Sequence, residues 1–195
     1  LAASKNKEGI LQLAQKGVVI QHPEDVIKDT YTLEFLGLPE KKLYKERDLE
    51  QKLIDNLQTF LLELGKGFAF IGRQYSLTIN NHHFYVDLVF YHRILKCFVL
   101  IDLKKNAVKH KDIGQMNMYM GYFAKEENTI DDNPPIGIIL SRTKDELMVE
   151  YATFGMDSQL FVSKYELYLP NKEELKRLVT GVIASENNLT SNNKY

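Results

Sequence analysis

The chain has 195 residues, with 25 Lys and Arg against 26 Asp and Glu and a net charge of −1 at pH 7. Near-neutrality excludes a uniformly basic nucleic-acid binder, although it leaves room for a local basic patch. The single cysteine, Cys97, excludes an internal disulfide framework and points to a reducing, cytoplasmic compartment, and no apolar run approaches the roughly 18 residues that a membrane span needs. The length suffices for one domain with a substantial core.

Residues 1–45 read as an N-terminal connector. A weak helical pattern over 5–16 is followed by a stretch broken at Pro23, Gly37 and Pro39. Leu1, where a start methionine would stand, points to a longer chain with an N-terminal part missing, or to disorder before it. From Glu46 to Leu64, Leu49, Leu53, Leu57, Phe60, Leu61 and Leu64 follow a 3.6-residue period, and Gly65 stops the predicted helix. Glu50 lies within it. Residues 67–79 alternate as a strand, and the polar tetrad Asn80, Asn81, His82 and His83 reads as a turn. The adjacent histidines are expected to face solvent, because neighbours in a turn rarely chelate together.

The stretch 84–104, FYVDLVFYHRILKCFVLIDLK, predicts a β-hairpin turning near Arg93–Lys96. Symmetric pairing about that turn sets Leu88 against Ile101, Val89 against Leu100, Phe90 against Val99 and Tyr91 against Phe98. Every pair is apolar except the last, Asp87 opposite Asp102. Like charges opposed in a sheet are destabilising, and an unpaired buried carboxylate costs several kcal/mol. The turn lacks the Asn-Gly or Gly signal of a tight hairpin, so a one-residue bulge would separate the two acids. Lys104 shares the face of Asp102 by the period of two.

A helix is predicted over 109–125, with Ile113, Met116, Met120 and Phe123 as its apolar stripe. Gln115 and Tyr119 share another of its faces, one turn apart. Strand 136–141 follows and is expected parallel to the strand carrying Asp102, through a right-handed crossover. Residues 147–153 read as a further strand, paired through a turn at Arg142–Asp145. The run from Phe161 to Leu169 contains a candidate edge strand, 171–185 a terminal helix and 187–195 a polar tail. The fold class expected is α/β, a mixed central sheet of an antiparallel meander plus a parallel crossover strand, with helices on both faces. The domain itself spans 46–186.

An acid on one strand and D-x-K on the next suit phosphodiester hydrolysis assisted by a hard cation. Mg²⁺ or Mn²⁺ keeps several waters and binds through one or two carboxylates plus substrate phosphate. Asp87 and Asp102 would be those carboxylates, with the Leu103 backbone carbonyl as a neutral third ligand and Glu50 as a further one. Lys104 would hold the attacking water or steady developing charge, and Gln115 would hold a water or a phosphate oxygen. Lys105, Lys109 and Lys111, with Arg73 and Tyr119, would meet the backbone of a nucleic acid, most simply DNA. A catalytically idle module that binds nucleic acid or a protein partner is the other reading.

The order helix, meander, D, (D/E)-x-K, helix with Q resembles the PD-(D/E)xK nuclease superfamily, which includes many restriction enzymes and Holliday-junction resolvases. More narrowly, LLELGKGFAFIGRQYSLTI, the hairpin stretch, GQMNMYM, DDNPPIGIIL and VEYA resemble the YhcG-type family of bacterial proteins, in which a nuclease-like domain follows a separate N-terminal domain. The likeness runs from Glu46 to Leu169. It implies a restriction-endonuclease-like core, a divalent metal, DNA as substrate and Asp87, Asp102 and Lys104 as signature positions, with Glu50 and Gln115 accessory. Enzymes of this kind often cut as homodimers. Two departures stand out: Val86 replaces the proline of the superfamily name, and Asp102 stands where this family more usually has glutamate.

Overall fold

The structure, a computed structural model, describes residues 20–38, 44–156 and 159–167. The predicted helices over 5–16 and 171–185 and the polar tail lie outside the described residues. The element order is β1 (Thr30–Thr32), α1 (Glu46–Asp55), α2 (Leu57–Leu64), β2 (Phe68–Ile79), β3 (His82–His92), β4 (Cys97–Lys104), α3 (His110–Tyr122), β5 (Ile136–Ser141), α4 (Glu146–Thr153) and β6 (Leu160–Glu166). Short 3₁₀ turns occupy Pro23–Asp25 and Glu34–Leu36, and a π turn, Phe123–Glu127, extends α3.

Six strands form one mixed sheet in the order β1-β6-β5-β4-β3-β2. The antiparallel meander β2-β3-β4 is as expected, and β5 runs parallel beside β4 with Asp102 level with Ile139. The hairpin register is also the expected one. Leu88 pairs with Ile101, Val89 with Leu100, Phe90 with Val99, Tyr91 with Phe98 and His92 with Cys97, without a bulge.

Alternation divides the hairpin between two cores. Leu88, Phe90, Val99, Ile101 and Leu103 pack with Leu49, Leu53, Phe60 and Leu64 of α1 and α2. Val89 and Leu100 point the other way, into Ile113, Met116, Met120 and Phe123 of α3. Helices therefore cover both faces, as near-continuous apolar strands demand. The contact between α3 and β5 is close: a Cβ on Gly137 would lie 2.6 Å from Met120 Sδ and 2.7 Å from Met116 Cγ. Cys97 is core, as expected, and burial, with a smaller contribution from Asp132, pushes its thiol up to about 12.

Five local readings are corrected. The helix predicted over 46–64 breaks at Asn56, whose side-chain Nδ2 donates to the Lys52 carbonyl at 2.9 Å and competes with the regular helix ladder. Residues 147–153 form helix α4 rather than a strand. Asp145 caps it by accepting from the Met148 N–H at 3.0 Å, and Met148, Val149 and Ala152 lean as one helical face on the α3 side core. In consequence β6 is joined to β5 by a crossover and pairs with it in parallel, and it lies inside the sheet rather than at its edge.

The edge belongs to β1, three residues within the stretch read as connector, which pairs parallel with β6 through Tyr31 and Tyr165. Tyr31, Leu33, Leu36 and Tyr44 join the α1/α2 core, and Tyr44 and Tyr165 share a hydroxyl–hydroxyl bond of 2.8 Å. The turn read over 80–83 narrows to Asn80–Asn81, both at positive φ (48° and 61°), with the two histidines already in β3. That is the backbone of a two-residue hairpin turn.

Candidate active site

Asp102 and Lys104 have the parity of Leu100 and so emerge on the α3 face at the end of β4. Asp87 lies where β3 changes sides, between Val86 of the α3-side core and Leu88 of the α1/α2 core. The β3–β4 ladder stops at Leu88–Ile101. Beyond it the Asp87 carboxylate takes the place of a backbone acceptor, receiving the Leu103 N–H at 2.7 Å through Oδ2. The two acids thus stay adjacent although the regular pairing has ended. Leu103 itself is fully buried, and its N–H is the backbone group that engages the site.

Asp102 is 4% exposed. Burial raises its carboxyl to about 7, and the Asp87 charge adds to the rise while Lys104 opposes it. Lys104 Nζ lies 2.7 Å from Asp102 Oδ2, yet off the angle of a hydrogen bond, and this buried oxygen has no hydrogen-bond partner. For Lys104, burial opposes the charge, but Asp102 and then Asp87 outweigh it and hold the ammonium above its ordinary value. Lys104 is therefore a fixed cation at neutral pH.

On α3, the Gln115 side-chain amide donates to the Tyr119 hydroxyl. Tyr119 is buried, and its hydroxyl pKa is raised first by that burial and further by the charges of Asp102 and Asp87, which places this helix face toward the acids. Glu50 arrives from the opposite side of the sheet on α1, 8% exposed. It meets Asp87 indirectly. Gln74 of β2 donates from Nε2 to Glu50 Oε2 at 2.8 Å and to Asp87 Oδ1 at 3.0 Å. Burial first, then Asp87, raises the Glu50 carboxyl, and the Gln74 bond works against both.

Asp87, Glu50 and Gln74 form one wall of a cleft of about 530 Å³ between α1 and β2, with Arg47 and Arg73 at its rim. Arg73 donates to Gln51 at 2.9 Å. Asp102 and Lys104 are not among the residues that line this cleft. Lys105 is half-buried, with its N–H donated to Glu46 at 3.2 Å. Lys109 and Lys111 are exposed at the start of α3, where Asp112 accepts the Lys109 N–H at 2.8 Å. The sequence-predicted residues thus fall into three groups: Asp87, Asp102 and Lys104 in contact, Gln115 and Tyr119 facing them, and Glu50 linked through Gln74. The basic residues stand on two flanks, Arg73 at the cleft and the lysines at the exit of β4.

Gln74, Arg47 and Gln51 were not singled out from sequence. Among the described residues, no three His, Cys, Asp or Glu side chains gather into a metal cage. His82 and His83 are exposed, and His83 Nδ1 pairs with the Thr78 hydroxyl at 3.0 Å.

The chain is 42% identical over 173 residues to the protein named "Putative nuclease YhcG" of Escherichia coli (strain K12), a match covering 88% of this chain and 45% of that one. The chain therefore spans less than half the length of that relative. Among solved structures, a repair endonuclease from Pyrococcus abyssi superposes with a TM-score of 0.46 at 18% identity, over 67% of this chain and 50% of that one. EndoMS in complex with double-stranded DNA gives 0.44 at 14% identity, over 68% and 50%. The family model described as the YhcG PDDEXK nuclease domain matches residues 24–180, and the chain belongs to that family.

Proposed function

We propose that this domain is a divalent-metal-dependent DNA endonuclease whose working residues are Asp87, Asp102 and Lys104. The observation that carries the reading is the buried Asp102 Oδ2, which lacks a hydrogen bond, beside a second carboxylate and a lysine. A structural role alone offers no reason to bury an acid beside a second carboxylate at the end of a strand ladder. This donor set suits Mg²⁺ or Mn²⁺: hard carboxylate oxygens, few in number, with room left for water and phosphate. Asp87 and Asp102 would hold the ion, with the Leu103 carbonyl as a neutral donor and Glu50 within reach through a change at Gln74. When bound, such an ion supplies Lewis acidity toward a phosphoryl oxygen and a lowered pKa for the attacking water.

The protein's own groups do the rest. Lys104, held protonated, is a poor general base and a good electrostatic partner for charge developing on phosphoryl oxygens. Gln115, tethered to Tyr119, offers its amide to a water or a phosphate oxygen. Arg73 and Arg47 at the cleft, and Lys105, Lys109 and Lys111 at the start of α3, would neutralise strand phosphates, so affinity would fall steeply with salt. Cutting both strands of a duplex takes two sites, so a homodimer and an N-terminal domain outside this chain form part of the same proposal.

The test is cleavage of duplex, single-stranded and branched DNA with Mg²⁺ and with Mn²⁺. Wild type should cut at least one substrate, and Asp87→Asn, Asp102→Asn and Lys104→Ala should each lower the rate by about 10³-fold or more while remaining folded, the scale on which loss of a charge-stabilising group acts. Wild-type protein that cuts nothing under either metal would refute the reading.

A further inference from the structure

Gln74 places one nitrogen between two carboxylates. Both Nε2 hydrogens are used, one on Glu50 Oε2 at 2.8 Å and one on Asp87 Oδ1 at 3.0 Å. The backbone is unusual at the same residue: φ is 45°, the left-handed region that residues other than glycine rarely adopt. Its neighbours keep an unbroken register, Arg73 with Leu88 and Tyr75 with Val86. A register shift lies earlier, between Phe70 and Gly72, and at Gln74 itself both strands change sides, since Leu88 packs in the α1/α2 core while Val86 and Tyr75 pack in the α3-side core. The left-handed residue stands at that change of side, with its side chain on the two acids. Strained backbone retained at such a place points to a role for the residue.

We propose that the Gln74 side-chain amide is a cation surrogate, bridging Glu50 and Asp87 in the metal-free domain and swinging aside when a divalent ion binds there. The amide hydrogens carry partial positive charge, so they lessen the repulsion between the two acids without supplying a full countercharge. An amide nitrogen and a metal ion compete for the same carboxylate oxygens and cannot both be served. Gln74 is exposed, unlike Glu50, so its departure disturbs no core packing. The device keeps the acids mutually oriented before the ion arrives and sets a threshold that the ion must exceed. It rests on the metal-dependent reading above.

The experiment is calorimetric titration of the full chain with Mn²⁺ at pH 8, for wild type, Gln74→Ala and Gln74→Gly, with urea unfolding in a chelator and in saturating Mn²⁺. The glycine variant separates relief of the backbone from loss of the amide. Both variants should bind Mn²⁺ about 30-fold more tightly, roughly the net worth of the two hydrogen bonds lost in the absence of the ion. The stability each variant loses in chelator should shrink in saturating Mn²⁺. Unchanged or weaker binding in both variants overturns the inference, since a residue that only supports the fold leaves affinity alone and a residue that helps hold the ion weakens it. Wild type that binds no Mn²⁺, or binds it equally well after Asp87→Asn, overturns the metal reading and this inference together.

Discussion

The ionisation of Asp102 provides a test of the site that needs no substrate. Its carboxyl titrates near about 7 in the folded, metal-free domain, chiefly because it is buried and then because Asp87 stands beside it. In the unfolded chain the same group titrates near about 3.9. Between those values the folded state holds a proton that the unfolded state has released, so stability falls as pH rises through this window and levels off above it. The total penalty is about 4 kcal/mol, of which roughly 2–3 kcal/mol falls between pH 5 and pH 8. Asp102→Asn keeps the shape and removes the titration.

The assay is urea unfolding of both proteins in a chelator at several pH values. Wild type should lose about 2–3 kcal/mol relative to Asp102→Asn on going from pH 5 to pH 8. Taking the difference cancels the groups that do not interact with Asp102. Adding Mg²⁺ or Mn²⁺ at pH 8 should restore wild type far more than the variant, because the ion binds the ionised form and competes with the proton. A difference curve that is flat from pH 5 to pH 8 would refute the argument that burial and Asp87 together hold this carboxyl high.

Two further outcomes bear on the fold. Asp145→Ala removes the cap of α4 and should cost about 1 kcal/mol in urea unfolding; no loss would mean that the cap does not hold this segment helical. His92 is fully buried, with Nδ1 accepting the Leu95 N–H and Nε2 donating to the Lys66 carbonyl, and burial lowers its pKa while the Lys66 bond opposes that shift. The neutral ring therefore contributes stability above about pH 6.5 that is lost as pH falls below it. His92→Gln should flatten that acid-side decline, read from unfolding midpoints at pH 7.5 and pH 5, and an equal decline in both proteins would count against it.

Local pattern was enough for the hairpin. Leu88, Phe90, Val99 and Ile101 alternate with Val89, Tyr91, Phe98 and Leu100 so regularly that only one register buries both sets, and the structure adopts it. The same alternation predicts Asp87, Asp102 and Lys104 on one face, and the structure brings them together where the β3–β4 ladder ends, while the stripe Ile113, Met116, Met120 and Phe123 packs on the neighbouring core. Residues 146–153 were a different matter. Val149, Tyr151 and Thr153 suit a strand as well as a helix, and the choice came from the Asp145 cap and from a core face that exists only once α3 is in place. The three residues of β1 are too few to show a period at all.

Gln74 lies between these cases. The two-residue Asn80–Asn81 turn sets Gln74 across from Asp87, whereas the four-residue turn expected from sequence would set it across from Val89. Its other partner is Glu50. That residue is solvated on an isolated helix and becomes a buried acid only when α1 packs on the sheet. Sequence alone determined which side chains share a face, because periodicity and turn chemistry act between near neighbours. Tertiary structure decided which of them lose water, touch and change their proton affinity, because desolvation and Coulomb interaction depend on distances between elements far apart in the chain.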